Sequence, residues 1–409
     1  MRLASSEIRD LAGDFAQRFL KPQASESDSR RTVAPEAMDE LAASGFLGML
    51  VSEDAFGLDL DMTDYLLVLE EFAREDASIA VAVGAHNGPV CGLLRRSASP
   101  EQRERWLPRL ATGEVLGAFA LAEPEAGSDA ASLRCTAVPT DDGWALTGRK
   151  RWVTNGARAG LVVVFARTPA EGVSAFLVDT RSEGFSVARR EVTLGLRALE
   201  VVELEFSELR LRSEALLGEL GRGISLALGA IDIGRSGIAA IALGIGRAAA
   251  EHARGYAVER EQFGRRIAEF GATQAKFAEM ATRLRAAELL VRDAAQAFGR
   301  AESTGVGVAP AGTPGVGGAR SEVTLKAAMA KLAASETATW VADAAVQIYG
   351  GYGYMRHYPV ERRLRDARGT ELLGGSSEIL RHVIARETVP AGAPQRRAAG
   401  STLTPTGWG

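Results

Sequence analysis

Residues 347–381 read QIYGGYGYMRHYPVERRLRDARGTELLGGSSEILR and form the most specific pattern in this chain. A run of charged residues that includes Arg365 and Asp366 leads into a loop with the sequence LLGGSSE at positions 372–378. Gly374 has no side chain, and the backbone of a glycine can approach a ligand closely. This loop is therefore a candidate binding site, and the segments around it indicate which fold presents it.

Two long helices are predicted on the N-terminal side of this stretch. The first carries apolar residues at alternating steps of three and four, which indicates packing into an antiparallel bundle; they are Phe277, Met280, Leu284, Ala287, Val291, Ala294 and Phe298. The second runs from about Ser321 to Ile348. The Gly/Pro-rich segment between them, residues 303–318, predicts a flexible loop. We assign residues 213–390 to a C-terminal antiparallel four-helix bundle.

Helical periodicity also dominates residues 1–113, which we assign to an N-terminal helical domain. Ser99 is predicted to begin a helix, because Pro100 suits the first helical position and Gln102 completes a capping box. Asp61 and Asp64 have the same spacing at the start of another helix.

The middle of the chain, residues 114–212, changes to short β-branched or alternating runs separated by turns. The predicted strands are Leu116–Leu121, Leu133–Val138, Trp144–Val153, Leu161–Arg167, Ser174–Val178 and Val201–Phe206. Residues 141–143, Asp-Asp-Gly, predict a hairpin between two of them. The fold class is α+β, with a sandwich-like or barrel-like β domain between two helical domains. Residues 391–409 are rich in Pro, Gly and small polar residues and predict a disordered tail.

Composition excludes several function classes. The 409 residues are 46% hydrophobic and 24% charged, with a net charge of -4 and no long basic block, so neither nucleic acid nor a membrane surface is an expected partner. Cys91 and Cys135 are too few for a disulfide framework or a metal cluster. The N-terminus has a charged helical pattern unlike a secretory signal, and no run approaches the ~20 apolar residues of a membrane span. We expect a cytoplasmic protein without a metal.

Three further segments carry candidate binding chemistry. Residues 119–129, FALAEPEAGSD, end a strand in a loop where small residues and the Ser128 hydroxyl could contact a ligand, although such a loop is also typical of a plain turn. Residues 150–156, KRWVTNG, place Trp152 and Thr154 on one face of a strand, where a ring can stack and a hydroxyl can bond, unless Trp152 is a core residue. In residues 260–264, REQFG, the Arg260 guanidinium suits a pyrophosphate, although a lone surface Arg is usually solvated.

These segments, in this order, resemble the acyl-CoA dehydrogenase family over nearly the whole chain. Residues 347–381 are similar to its C-terminal signature, residues 119–129 to its T-E-P-x-A-G-S-D motif, residues 150–156 to K-x-W-I-T-N, and residues 260–264 to R-x-x-F-G. Two departures weaken the match: Ala122 replaces the usual Thr, and Gly271 replaces a usual Gln, for which Gln274 is a partial substitute.

The resemblance implies FAD as cofactor and an acyl thioester, carried by CoA or an acyl carrier protein, as substrate. The residues that it places around FAD are Phe119, Leu121, Ala122, Gly127, Ser128, Trp152, Thr154, Arg260, Phe263, Gln274, Gln347, Gly350, Gly351, Ser376 and Glu378. The residues that it places at the substrate are Ser128, Arg235 and Gly374. Arg260 of relatives reaches a neighbouring subunit's cofactor, which implies a homodimer or homotetramer, and an electron-transfer flavoprotein or similar acceptor would reoxidise the flavin.

The catalytic base of the family is absent. Relatives remove the α-proton with a glutamate at one of two positions, and this chain has Gly374 at one and Gly234 at the other. General-base catalysis contributes ~10²–10⁴-fold, so the loss matters. Asp232 and Glu371 are weak replacement candidates, and the catalytic residue is unassigned. His86, His252, His357 and His382 lie outside the matched positions and are expected to be structural.

Three functions fit these residues. The first is an FAD-dependent dehydrogenase of acyl thioesters. The second is a flavin-dependent monooxygenase or oxidase on the same fold, which needs no α-carbon base. The third is a flavin-binding subunit without turnover in a hetero-oligomer, because loss of a base removes rate without removing binding.

Overall fold

The N-terminal part of the protein is helical, as predicted. A computed structural model describes residues 4–303 and 317–389, so the predicted tail and most of the predicted loop at residues 303–318 lie outside the described residues. The helices of this part are α1 Ser5–Phe15, α2 Lys21–Arg30, α3 Pro35–Ala43, α4 Met62–Glu75, α5 Ala77–Ala85, α6 Leu93–Ser97 and α7 Pro100–Ala111, with π-helical turns at Ala16–Leu20 and His86–Gly92.

The two predicted helix starts are confirmed. The Gln102 N–H donates to Ser99 Oγ over 3.2 Å, and the Ser99 N–H donates to Gln102 Oε1 over 3.0 Å, which completes the capping box of α7. The Asp64 N–H donates to Asp61 Oδ1 over 3.0 Å at the start of α4. These side chains satisfy N–H groups that the first helical turn leaves without partners.

The middle domain is a β structure, and it contains two strands that the sequence pattern did not predict. Its strands are β1 Gly117–Ala120, β2 Thr136–Thr140, β3 Gly143–Thr154, β4 Leu161–Thr168, β5 Gly172–Asp179, β6 Phe185–Arg190, β7 Val201–Arg212 and β8 Leu216–Leu217. The strand order is β6-β7-β3-β2-β4-β5-β8, and β1 pairs in parallel with β4. The six predicted strands are confirmed. Strand β6 was missed because most of its side chains are exposed, and β8 because it has only two residues.

Strand β4 explains how the β domain joins the helical layer. Val163 and Phe165 belong to a core shared with Trp106 of α7, whereas Val162 and Val164 belong to the core inside the β domain. A strand buried on both faces reads as a continuous apolar run rather than an alternating one. The interface between the two domains is therefore hydrophobic and continuous with both cores.

The C-terminal part contains the long helices α8 Gly223–Glu259, α9 Gly271–Ser303 and α10 Gly317–Tyr349, followed by α11 Pro359–Thr370 and α12 Ser377–Thr388; a short hairpin, β9 Glu261–Gln262 and β10 Arg265–Arg266, joins α8 to α9. Helix α10 packs against α8, α9 and α11. In the predicted seam of α9 the residues are buried or, for Phe277 and Leu284, partly buried against the same core. The predicted helical bundle is thus confirmed.

Two helical stretches among the described residues are long and apolar enough to cross a membrane, contrary to the sequence-based expectation. They are Ala77–Ser97 and Gly223–Glu259, and their apolar windows are 89% and 78% buried inside the protein. Alanine, glycine and aliphatic β-branched residues are common in both, which suits helices that pack against each other and against α4 in the core. Both stretches are core helices in this structure.

Candidate functional site

A buried ion pair fixes the loop that follows β1. Lys150 Nζ donates to Glu123 Oε1 over 2.7 Å and to the Leu121 carbonyl over 3.0 Å. The Lys150 and Glu123 side chains are 0% and 3% exposed, and Glu123 also accepts from the N–H of Cys135 over 2.9 Å. Burial lowers the pKa of Lys150, an effect that the nearby Glu123 carboxylate opposes. The start of the loop that carries Gly127 and Ser128 is therefore tied to β3 by Lys150, and Glu123 ties that start to the end of the loop at Cys135.

Trp152 reaches the surface beside this loop because β3 contains a bulge. The register with β7 shifts between Lys150 and Val153, and Trp152 has a φ of 56°, which is rare for a bulky residue. In a regular strand, Trp152 would share the buried face on which Lys150 lies, so strand alternation alone does not explain why Trp152 is exposed. The indole is 51% exposed, and a Cβ on Gly127 would lie 4.0 Å from it.

Other predicted residues surround this ring. Thr154 is half-buried, two residues beyond Trp152 on β3, and Ser128 is exposed on the loop. Phe119 and Leu121 are half-buried at the end of β1 and pack against the core shared with α7. The Ala122 carbonyl accepts from the Arg151 N–H over 2.9 Å, so the missing Thr hydroxyl leaves the backbone contact in place.

The β domain is linked through Gly195 and Leu196 to α11, the helix that precedes the loop at residues 371–378. The Leu196 N–H donates to Asp366 Oδ1 over 2.5 Å, and burial raises the pKa of Asp366 to about 6. A Cβ on Gly195 would lie 2.0 Å from the Arg365 carbonyl oxygen, so a side chain at this position would prevent the contact. Arg365 itself pairs with Asp28 and Glu361. The Arg-Asp pair of the C-terminal pattern thus joins three parts of the fold.

Two cationic side chains, those of Arg235 and Lys331, donate hydrogen bonds to backbone carbonyls of the loop at residues 371–375. Arg235 Nε donates to the Gly374 carbonyl over 3.0 Å, and Lys331 Nζ donates to the carbonyls of Glu371 and Gly375 over 2.9 and 2.7 Å. Gly374 and Gly375 have φ values of 72° and 106°, which side chains rarely adopt. Ser376 then occupies the N-cap position of α12, without a capping hydrogen bond from its side chain, and Glu378 is exposed in the first turn.

Both weak candidate bases, Asp232 and Glu371, are engaged by other side chains. Asp232 Oδ1 accepts from Arg235 Nη1 over 3.0 Å, and Asp232 Oδ2 accepts from the Thr324 hydroxyl over 2.6 Å. The carboxylate of Glu371 pairs with Arg368 on the preceding turn. Both carboxylates therefore have structural partners, and a general base needs an oxygen about 3 Å from its proton.

The remaining predicted cofactor residues form a separate exposed group on the bundle. Arg260 lies over the Tyr352 ring at 5.6 Å, and Tyr256 stacks on Tyr349 at 4.2 Å. Phe263 is 95% exposed with a φ of 53° at the tip of the β9–β10 hairpin. The other exposed members of this group are Gln274, Gln347, Gly350 and Gly351. Their recorded contacts do not include Trp152 or the loop at residues 371–378.

Sequence reasoning missed Lys150, Glu123 and Lys331 as site residues. Lys150 and Glu123 stand inside the quoted motifs, so their buried charges could have been paired from the rule that buried ions need partners. Lys331 had no such signal, because it lies 40 residues before Glu371. His86 is structural, as expected: its ring bonds the Leu47 carbonyl and the Gly117 N–H, and burial lowers its pKa to about 4. Among the described residues no cluster of metal-ligand type occurs.

Comparisons with known proteins find similarity to one family over almost the whole chain. Models of the acyl-CoA dehydrogenase N-terminal, middle and C-terminal domains match residues 4–114, 118–209 and 221–389. An acyl-CoA dehydrogenase of Bacillus subtilis (strain 168) is 38% identical over 383 residues, which are 93% of this chain and 96% of that relative.

Solved structures show the same similarity. Butyryl-CoA dehydrogenase from Megasphaera elsdenii has a TM-score of 0.86 and 34% identity, covering 94% of this chain and 98% of that one. A chain from a structure described as the electron transferring flavoprotein of Acidaminococcus fermentans has a TM-score of 0.87 and 35% identity, covering 95% and 98%.

Proposed function

The chain belongs to the acyl-CoA dehydrogenase family of FAD-dependent oxidoreductases, and we propose that it dehydrogenates a short acyl-CoA thioester between the α- and β-carbons. Bound FAD supplies the hydride acceptor. The observation that carries the proposal is the exposed ring of Trp152, which we call the Trp152 platform. The backbone conformation of Trp152 costs about 1–3 kcal/mol, and the ring lies against a loop that the buried Lys150–Glu123 pair fixes. Backbone strain of this kind is found mainly at active sites and ligand sites, where the surrounding structure maintains it.

In this proposal each half of the site has its own task. Trp152 stacks on the flavin ring, and the hydroxyls of Thr154 and Ser128 bond its polar groups. Ser377 Oγ on the first turn of α12 is buried, and no partner is recorded for it among the described residues, which fits a cofactor atom nearby. Arg235 and the loop at residues 371–375 face the thioester.

Close packing beside Gly234 supports a short acyl chain. A Cβ on Gly88 would lie 3.0 Å from the Tyr65 hydroxyl oxygen and 3.2 Å from Ile233 Cγ2. The π-helical turn that carries Gly88 therefore lies directly on α8 beside Gly234, and in this proposal that packing limits the length of the acyl chain. The similarity to butyryl-CoA dehydrogenase from Megasphaera elsdenii agrees with a short substrate on CoA.

We expect Trp152→Ala to raise the Kd for FAD about tenfold, because the stacking ring is lost, without lowering the melting temperature. Half of the indole is exposed, so its removal leaves no cavity. Flavin fluorescence titration of the apoprotein measures the Kd. Trp144→Ala is the matched control, since Trp144 packs on Phe176 in the β core and should change stability rather than FAD affinity. Equal effects of both variants on FAD affinity would contradict the platform.

The exposed group around Arg260 supports a homo-oligomer in which one subunit completes the cofactor site of another. Phe263→Ala should leave the monomer stable, since the side chain is 95% exposed, yet lower both FAD retention and the fraction of oligomer. Sedimentation velocity with and without FAD measures this, and Leu289→Ala, at an exposed site on α9, is the control. An unchanged oligomer and FAD content in Phe263→Ala would contradict the shared site.

An electron-transferring flavoprotein is the proposed acceptor, and the similarity to a chain in the Acidaminococcus fermentans structure supports it. We place the reaction in the cytoplasm. Anaerobic addition of butyryl-CoA should bleach the flavin absorbance of the purified holoprotein. No bleaching over a range of acyl-CoA lengths, with FAD still bound, would contradict the proposed reaction.

A second candidate is a flavin-binding subunit without turnover. The specific observation in its favour is that Asp232 and Glu371 are both engaged by other residues. Appearance of activity only after mixing with an active paralogue would support it. Oxygen-dependent product formation after chemical reduction would instead support the monooxygenase or oxidase.

A further inference from the structure

The two positions at which relatives carry the catalytic glutamate are neighbours in this structure. A Cβ on Gly374 would lie 3.5 Å from Arg235 Cγ and 4.0 Å from the Arg235 backbone nitrogen, which is bonded to the carbonyl carbon of Gly234. In the proposed function the reacting α- and β-carbons therefore lie beside Gly234. The residues packed around Gly234 then limit where the rest of the acyl chain can extend.

Tyr65 of α4 reaches this region next to the π-helical turn at His86–Gly92. A Cβ on Gly88 would lie 3.9 Å from the Gly234 nitrogen and 3.0 Å from the Tyr65 hydroxyl oxygen, so both lie against Gly88. A Cβ on Gly237, one turn beyond Gly234 on α8, would lie 3.4 Å from the same oxygen. The Tyr65 hydroxyl thus occupies a space that exists because residues 88 and 237 have no side chains.

The Tyr65 ring is held firmly in this place. Its side chain is 0% exposed, and its hydroxyl donates to the Gly84 carbonyl of α5 over 3.1 Å. Burial raises the pKa of the Tyr65 hydroxyl, so the group stays neutral and remains a donor. Movement of the ring would leave the buried Gly84 carbonyl without this donor, which is unfavourable. A ligand therefore meets a fixed wall at Tyr65.

We propose that Tyr65 is a specificity-determining residue: its ring and hydroxyl fill the space between the π-helical turn and α8 that carbons beyond the fourth of the acyl chain would enter. This role rests on the proposed function and names the residue that limits the chain length. Extra methylene groups in a filled interior displace their neighbours, so longer thioesters bind less tightly. A smaller residue at position 65 leaves an apolar cavity that a longer chain fills.

The test compares hexanoyl-CoA with butyryl-CoA, which differ by two methylene groups. Titration of the holoprotein, followed by flavin absorbance, gives the two Kd values, and the wild type should bind butyryl-CoA more tightly. Tyr65→Leu should shift the ratio of the Kd values toward hexanoyl-CoA by about tenfold, the value of burying two methylene groups. Tyr65→Phe keeps the ring and removes only the hydroxyl oxygen, so it should shift the ratio by about fourfold.

Leu69→Ala is the matched control on the same helix. Leu69 is also 0% exposed and lies 3.2 Å from the position of a Cβ on Gly237, but among the described residues it is not one of the nearest neighbours of a Cβ on Gly88. This variant should lower the melting temperature, because it leaves a cavity, without changing the ratio of the Kd values. An equal shift of the ratio in Leu69→Ala would overturn the role of Tyr65, since any cavity beside α4 would then suffice.

A series of thioesters tests the role without a substitution. The affinity of the wild type should rise from acetyl-CoA to butyryl-CoA and fall at hexanoyl-CoA and octanoyl-CoA. Octanoyl-CoA bound as tightly as butyryl-CoA would overturn the role of Tyr65 even if Tyr65→Leu failed to fold.

The outcomes separate the two proposals. A wild type that keeps FAD but binds none of these thioesters overturns the proposed function and this inference together. A wild type that prefers butyryl-CoA, with the ratio of Kd values unchanged in both Tyr65→Leu and Tyr65→Phe, overturns the role of Tyr65 alone and leaves the proposed function in place.

Discussion

Gly234→Glu is expected to raise the rate of flavin reduction by butyryl-CoA by about 10²–10⁴-fold, the usual contribution of a general base. Gly234 lies within α8, directly before Arg235, and among the described residues outside α8 a Cβ there would meet Pro89 Cγ, at 3.4 Å, and no other atom within 4 Å. A glutamate is also a better helix former than glycine by about 1 kcal/mol, so the fold tolerates the change. Anaerobic stopped-flow absorbance gives the rate.

Gly374→Glu should gain less, although it restores a carboxylate at the other family position. Gly374 has a φ of 72°, and a side chain in that region costs about 1–3 kcal/mol, so the loop would move or lose stability. The Arg235 contact to the Gly374 carbonyl depends on the same backbone conformation. We therefore expect the variant at position 234 to be faster than the variant at position 374.

Gly234→Gln is the matched control, because it has the size of glutamate without a basic oxygen. An equal gain from Gly234→Gln would show that shape rather than proton transfer limits the reaction. A Gly234→Glu protein that keeps FAD and binds butyryl-CoA but reduces its flavin no faster would refute the missing base as the limiting factor.

Lys150→Met is expected to destabilise the protein by about 3–5 kcal/mol and to lower FAD retention strongly, because it leaves Glu123 buried without its cation. Glu123 would keep its contact with the Cys135 N–H, but the link from the loop to β3 through Leu121 would be lost. Urea unfolding at neutral pH measures the free energy, and the absorbance ratio of flavin to protein measures retention.

Arg149→Met tests whether the expected losses of stability and FAD arise because the Lys150–Glu123 pair is buried. Arg149 is the neighbouring residue on β3, pairs with Glu205 over 2.9 Å, and is 55% exposed. An exposed pair contributes about 0–1 kcal/mol, so this variant should unfold close to the wild type and keep its FAD. Similar losses of stability and FAD in both variants would mean that any charged residue on β3 supports the loop, and that the burial of the Lys150–Glu123 pair is not the reason.

Much of the fold could be predicted because local patterns carry it. The Ser99 capping box and the seam from Phe277 to Phe298 depend on residues within a few turns of one another. Strand β6 could not be predicted, since its exposed side chains show no alternation that burial would impose. Trp152 is predicted from the sequence to be a stacking residue, but the bulge that exposes it depends on pairing with β7, which local alternation does not reveal.

The sequence by itself determined the family, the FAD dependence and the absence of glutamate at positions 234 and 374, because these follow from which residues stand in which order. The tertiary structure decided which partner each buried charged group meets: Lys150 with Glu123, Asp232 with Thr324, and Lys331 with the loop carbonyls. Contacts between such distant positions depend on how helices and strands pack, and burial then fixes the energy of each pair. For that reason only the structure shows two carboxylates that are engaged and a loop whose carbonyls are held by Arg235 and Lys331.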